Sequence, residues 1–432
     1  MLTIVRRTAA LWWRTWPRLV ALYLTGWFVR YWVLQFAISI GIHHGELWGS
    51  IIMAVVPIVR LLTYLGMFLV IRSAATGLQH VDEGGAGAPR GVIDVTLTAV
   101  LPFLVIYTLW KLVVADFYVY FTTVNITTVY EGTQDRVAQV VNHAAGAPLI
   151  TVIVVAFLLR QLITRFRERL PAAAMLLAVY FQVLWLFLTI QASFAALFGT
   201  ADWIAERRIV VWYSTIREQV LSHLGELGRL YQSLTDALGP LAQVIALSLA
   251  WLAIASAVYG TPLTPTWQGG RRAFLGHRGD VAAARAIRRG RQTLQPRWQR
   301  VPVTIQERAV EFLRGQLGMF GPIVDAGRLI LHGGALPIAF FVLVYTALVV
   351  LAPGNAYFDP TVTDGYLFRA VAVTLGPHQW AWWQAFDDTI RLIIDAAVDP
   401  IRICLVAATY WFCVDQVRAQ QAASGLEPEH QR

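Results

Sequence analysis

Arg391, Asp395, Asp399 and Arg402 recur at spacings of four, four and three at the start of and within the last strongly apolar stretch of the chain. On a helix that spacing lines all four along one face. Charge in an apolar span is costly unless it is paired or faces a polar interior, so the stripe has two readings. One is an internally neutralised packing face, and the other is the lining of a polar cavity or ion path. Arg30 and Arg60 raise the same question, because they sit near the middle of the first and second apolar runs. If Asp395 and Asp399 are their counter-charges, the first, second and last spans share one polar centre. If not, two convergent guanidiniums form a site for a phosphate or carboxylate headgroup. The candidate binding residues are therefore Arg30, Arg60, Asp395, Asp399 and Arg402. The first two would hold an anionic group, and the aspartates would supply countercharge or proton coupling. Lys111 and Asp116 flank the end of the third run and read as boundary residues without a specific role, the lysine snorkelling.

The elements that must position these charges are long and apolar. Of 432 residues, 57% are hydrophobic and 14% charged, with a mean hydropathy of +0.55. Soluble domains carry about 25% charged residues, so this chain belongs in a bilayer. The expected fold is all-α and polytopic. Eight runs are candidates to cross a hydrocarbon core of about 30 Å: roughly 19–40, 50–71, 93–115, 147–159, 172–198, 240–260, 331–352 and 392–414. The fourth is the weakest, because Arg160 interrupts it early. The basic start, Arg6 to Arg18, precedes a run too long for a cleaved leader and reads as a retained first span.

Arginine placement sets the orientation. With the N-terminus inside, 24 of the 35 basic residues fall on inner segments and 7 on outer ones. That split predicts eight spans with both ends cytoplasmic, in a cell inner membrane. Residues 1–260 then hold the first six spans and 331–416 the last two, with 417–432 a polar inner tail. Lys111 is the only lysine, a bias toward arginine that points to a bacterial, high-GC source.

Between these lie three extramembrane pieces. Residues 261–330 form a basic inner loop, a surface for anionic lipid headgroups or for an acidic protein partner. Its arginines are not interleaved with aromatics or arranged in a reader motif, so nucleic acid is not expected. Near 209–235, apolar residues recur at helical spacing, which predicts an outer amphipathic helix. Residues 353–391 are rich in turn signals and end in the aromatic cluster His378–Trp383, an expected interfacial anchor for the last span.

Few chemistries find a foothold. His43, His44 and Glu46 are close in sequence but lack metal-ligand spacing, and no phosphate loop or metalloprotease signature occurs. No cofactor or metal is expected. The only cysteines, Cys404 and Cys413, lie on opposite faces of one helix and read as buried thiols. Pro57–Arg60 and Pro400–Arg402 echo one another in two spans of the same direction. Duplication and chance similarity both explain the echo, and either way each proline frees a carbonyl beside a buried charge. The reading that follows is a membrane protein that binds and moves an anionic or amphipathic solute or lipid. Its rivals are a non-catalytic subunit or scaffold of an envelope complex and a lipid-modifying enzyme built on loop acids such as Glu46, Asp387 and Asp388.

Overall fold

Long runs of Leu, Ile, Val, Ala and aromatic residues are interrupted only by single prolines and glycines, and every regular element among the described residues is an α-helix. The computed structural model describes residues 1–76, 103, 112–131, 147–166, 169–170, 174, 176–189, 192, 245–259, 328–329, 332–353 and 364–423. The helices are α1 (Leu2–His44), α2 (Glu46–Met53), α3 (Val55–Thr76), α4 (Leu112–Glu131) and α5 (Ala147–Arg165). They continue as α6 (Leu176–Thr189), α7 (Ile245–Tyr259), α8 (Ala335–Leu351), α9 (Tyr366–Leu375) and α10 (Trp380–Ala423). All of the inner loop 261–330 except Arg328 and Leu329, the outer helix near 209–235, Lys111 and most of the third predicted span lie outside the described residues.

Three described stretches are long and apolar enough to cross a membrane: Leu2–His44, Glu46–Ala74 and Pro148–Arg165. The last differs from the sequence expectation, since α5 runs through Arg160 to Arg165 instead of stopping at 159. Its 19 residues rise about 28 Å, enough to cross.

The frame is an antiparallel hairpin. α1 turns at Gly45, whose φ of 104° favours a residue without Cβ, and the chain returns as α2 and α3. The α2/α3 junction at Ala54 has a cause in sequence, because Pro57 cannot donate to the carbonyl of Met53. Close approach of α1 to α3 depends on Gly26 and Gly66. A Cβ on Gly26 would collide with the β-branched Thr63, and one on Gly66 would come within 2.8 Å of Leu22. Gly26→Val is therefore expected to cost roughly 1–3 kcal/mol as an overpacked contact. A thermal melt in detergent would measure this, and Thr63→Gly in the same chain should recover part of the loss.

α10 lies antiparallel to the first half of α1, in a register tied by Arg7–Asp415 at 2.7 Å. Its stretch from Ile403 to Ala408 is buried without a gap, and Cys404 and Cys413 are buried free thiols. The expected interfacial segment and last span are thus one 44-residue helix containing Pro400. At its start His378 stacks on Trp382 at 4.2 Å, and Trp382 meets Phe386 at 4.7 Å. Arg391 ties α9 to this helix, donating to Asp364 at 2.8 Å and to Asp387 at 2.7 Å, with its guanidinium 4.5 Å from the Phe368 ring centroid.

Candidate functional site

The hairpin and α10 bring the charges predicted from sequence into one region, but in two clusters. In the first, Arg30 of α1 reaches Asp116 of α4 at 3.0 Å, and Arg60 of α3 approaches the same Oδ1 at 3.6 Å. Arg60 and Asp116 are buried, while the Arg30 side chain keeps 21% of its surface. Asp116 thus holds a central place that sequence reading denied it. The reason lies in the helix boundary. Lys111 and Asp116 were expected to end the third span, yet Phe117–Val129 remains apolar and polar-uncharged, and α4 continues to Glu131. That apolar continuation was the signal that the carboxylate lies within a helix and not at its mouth.

The second cluster is on α10. Asp399 pairs with Arg402, and Tyr64 of α3 donates its hydroxyl to Asp399 Oδ2 at 3.1 Å. Arg402 also donates to the carbonyls of Leu348, at 3.0 Å, and Ala352. Those groups close the C-terminal end of α8, where a cation is favoured; the Leu348 carbonyl also accepts from the Ala352 N–H at 3.1 Å. Asp395 is buried one turn before Asp399. Of the original stripe, Arg391 faces Asp364 and Asp387, so only Asp395, Asp399 and Arg402 enter the core.

Tyr64 joins the clusters. A small cleft of about 20 Å³, partly open to the surroundings, is lined by Tyr23, Gly26, Trp27, Arg30, Arg60, Thr63 and Tyr64. A second, more enclosed space of about 10 Å³ is lined by Tyr64, Trp251, Tyr345, Asp399, Arg402 and Ile403. α1, α3 and α10 pack together. Asp116 is a carboxylate contact of both Arg30 and Arg60, and Arg402 pairs with Asp399; pairing of the two arginines with Asp395 and Asp399 was one of the two readings the sequence left open.

The acids named for an enzymatic role are placed differently from one another. Glu46, expected in a surface loop, is 1% exposed, and its carboxylate oxygens have no hydrogen-bond partner among the described residues. Tyr120 donates to its backbone carbonyl at 2.8 Å. Asp387 is tied to Arg391. Among the described residues no group of three or more His, Cys, Asp or Glu side chains is arranged to hold a metal. Comparison with family models, curated proteins and solved structures gives no match to the chain. Function must therefore be argued from the charges themselves.

Proposed function

We propose that this is a multi-pass protein of a bacterial inner membrane, with eight spans and both ends cytoplasmic, that binds and moves an anionic amphipathic solute or lipid. One observation carries the reading: guanidiniums from two helices converge on a single carboxylate oxygen at the wall of an accessible cleft. Asp116 is then a built-in counter-ion, which keeps the site stable when empty and which an incoming anion must replace. Asp395, Asp399 and Arg402 form the neighbouring charged wall behind Tyr64, where carboxylates can supply countercharge during movement.

Depth supports this reading. If Arg18 and His43 mark the two headgroup levels on α1, Arg30 lies about 18 Å from one and about 20 Å from the other. A charge at the middle of a bilayer marks a functional site more often than a surface charge does. The test is equilibrium binding of two single-chain anionic amphiphiles, laurate and dodecyl phosphate, to protein in phosphatidylcholine nanodiscs. Arg30→Gln combined with Arg60→Gln should weaken binding by roughly tenfold or more, the loss of one to two charge-assisted hydrogen bonds. Unchanged binding in the folded double variant would remove both arginines from the site.

The scaffold reading has its own observation, the closed lock of Arg402 on Asp399 and the end of α8. In that reading the paired charges fix helix positions, and the inner loop 261–330 recruits a protein partner. The two readings give opposite expectations for Asp116→Asn.

A further inference from the structure

The surroundings of the cleft distinguish a solute arriving from water from one arriving through the bilayer. Trp27 forms one lip, its ring stacked on Tyr31 with centroids 5.5 Å apart and planes 14° from parallel. Tyr31 is itself exposed, as are Leu24 and Phe28 on the same helix. On α3, Leu62 is exposed beside the cleft residue Thr63. The opening is thus edged by apolar and aromatic surface, while its inner wall carries Arg30 and Arg60. Surface of this kind on a membrane-length helix suits acyl chains better than water.

The chemistry of the inner wall narrows the ligand further. Asp116 offers one oxygen, Oδ1, to both guanidiniums, and the second contact is long at 3.6 Å. A phosphate group offers several acceptor oxygens at once, so it can engage two guanidiniums from different helices without sharing one atom.

Resting on the Arg30 and Arg60 reading above, we infer that the ligand is an anionic, phosphate-headed membrane lipid that reaches the two arginines sideways from the bilayer, past the exposed surface of α1. Its phosphate takes the place of Asp116 at the two arginines, and its acyl chain passes over the Trp27–Tyr31 lip into the bilayer.

The experiment compares three probes on protein in phosphatidylcholine nanodiscs: inorganic phosphate, dodecyl phosphate, and phosphatidylglycerol incorporated in the disc as a competitor. Dodecyl phosphate should bind at least about a hundredfold more tightly than inorganic phosphate, since even a few buried methylenes supply that factor. Phosphatidylglycerol should raise its apparent Kd. Tyr31→Ser, at an exposed position that leaves the core intact, should weaken dodecyl phosphate binding and leave inorganic phosphate unaffected. If both phosphates bind equally and both lose affinity in the Arg30→Gln, Arg60→Gln variant, lateral lipid entry is wrong and the arginine site stands. If dodecyl phosphate binding survives that double variant, it reflects partition into the disc, and the site is wrong as well. Failure of every probe to bind overturns both.

Discussion

Arg402→Met is expected to lower the stability of the fold by about 3–5 kcal/mol, the usual cost of removing one partner from a buried ion pair. The size follows from what Arg402 holds. It is 3% exposed, pairs with Asp399, and donates to the carbonyls of Leu348 and Ala352. Methionine keeps a long unbranched side chain and removes every donor. Asp399 would then be a buried carboxylate with the Tyr64 hydroxyl, at 3.1 Å, as its remaining donor among the described residues, and the C-terminal end of α8 would lose its cation. A melt of the purified protein in one fixed detergent would read the loss. Adding Asp399→Leu should restore much of it, because a pair replaced by apolar groups no longer leaves a buried charge behind. Recovery should be incomplete, since the Ala352 carbonyl at the end of α8 loses the Arg402 donor, at a cost of about 1 kcal/mol or more. A single variant as stable as the parent would show that Arg402 is solvated in the membrane and does not lock α8 to α10.

Particular residues show what the sequence makes legible and where it stops. Apolar runs identify α1, α3, α5 and α8 because a helix in apolar surroundings must itself be apolar for most of its length. The break before Pro57 follows from proline's missing donor. The proximity of the first hairpin to α10 was legible too, since intramembrane charges of opposite sign seek one another. Their pairing was not. Charges report sign and approximate depth, and the depth of Asp116 was misread once Lys111 and Asp116 were taken for a helix end. Tyr64 gave no signal at all, because a tyrosine in an apolar run looks like any core aromatic until its hydroxyl is seen against Asp399. The other partners of Arg402 are backbone carbonyls, which exist at every position and become special only where a helix ends. Ala352-Pro353 hints at such an end, and α8 does stop at Leu351, but nothing in the sequence says which arginine reaches it.

Asp116→Asn separates binding from packing, because the two roles predict different behaviour from one substitution. Asparagine keeps the size of the side chain and removes the carboxylate that faces both Arg30 and Arg60. In either role the empty protein should lose stability, by up to about 3–5 kcal/mol, as two guanidiniums lose a buried counter-charge. The difference appears when an anion is added. If Asp116 holds the place of a ligand, its removal eliminates a competitor lying within hydrogen-bonding distance of Arg30. Unit charges about 4 Å apart interact by about 4 kcal/mol at an effective dielectric of 20, so dodecyl phosphate should bind at least tenfold more tightly to the variant. Binding to the folded state alone then raises stability in proportion to the logarithm of ligand concentration over Kd. The melting temperature of Asp116→Asn should therefore climb toward that of the parent as dodecyl phosphate is titrated, while the Arg30→Gln, Arg60→Gln variant shows no such rise. If the arginines serve packing alone, the variant stays destabilised at every ligand concentration. The same melts thus distinguish a site whose counter-ion waits to be displaced from a charge pair whose work ends when the helices have docked.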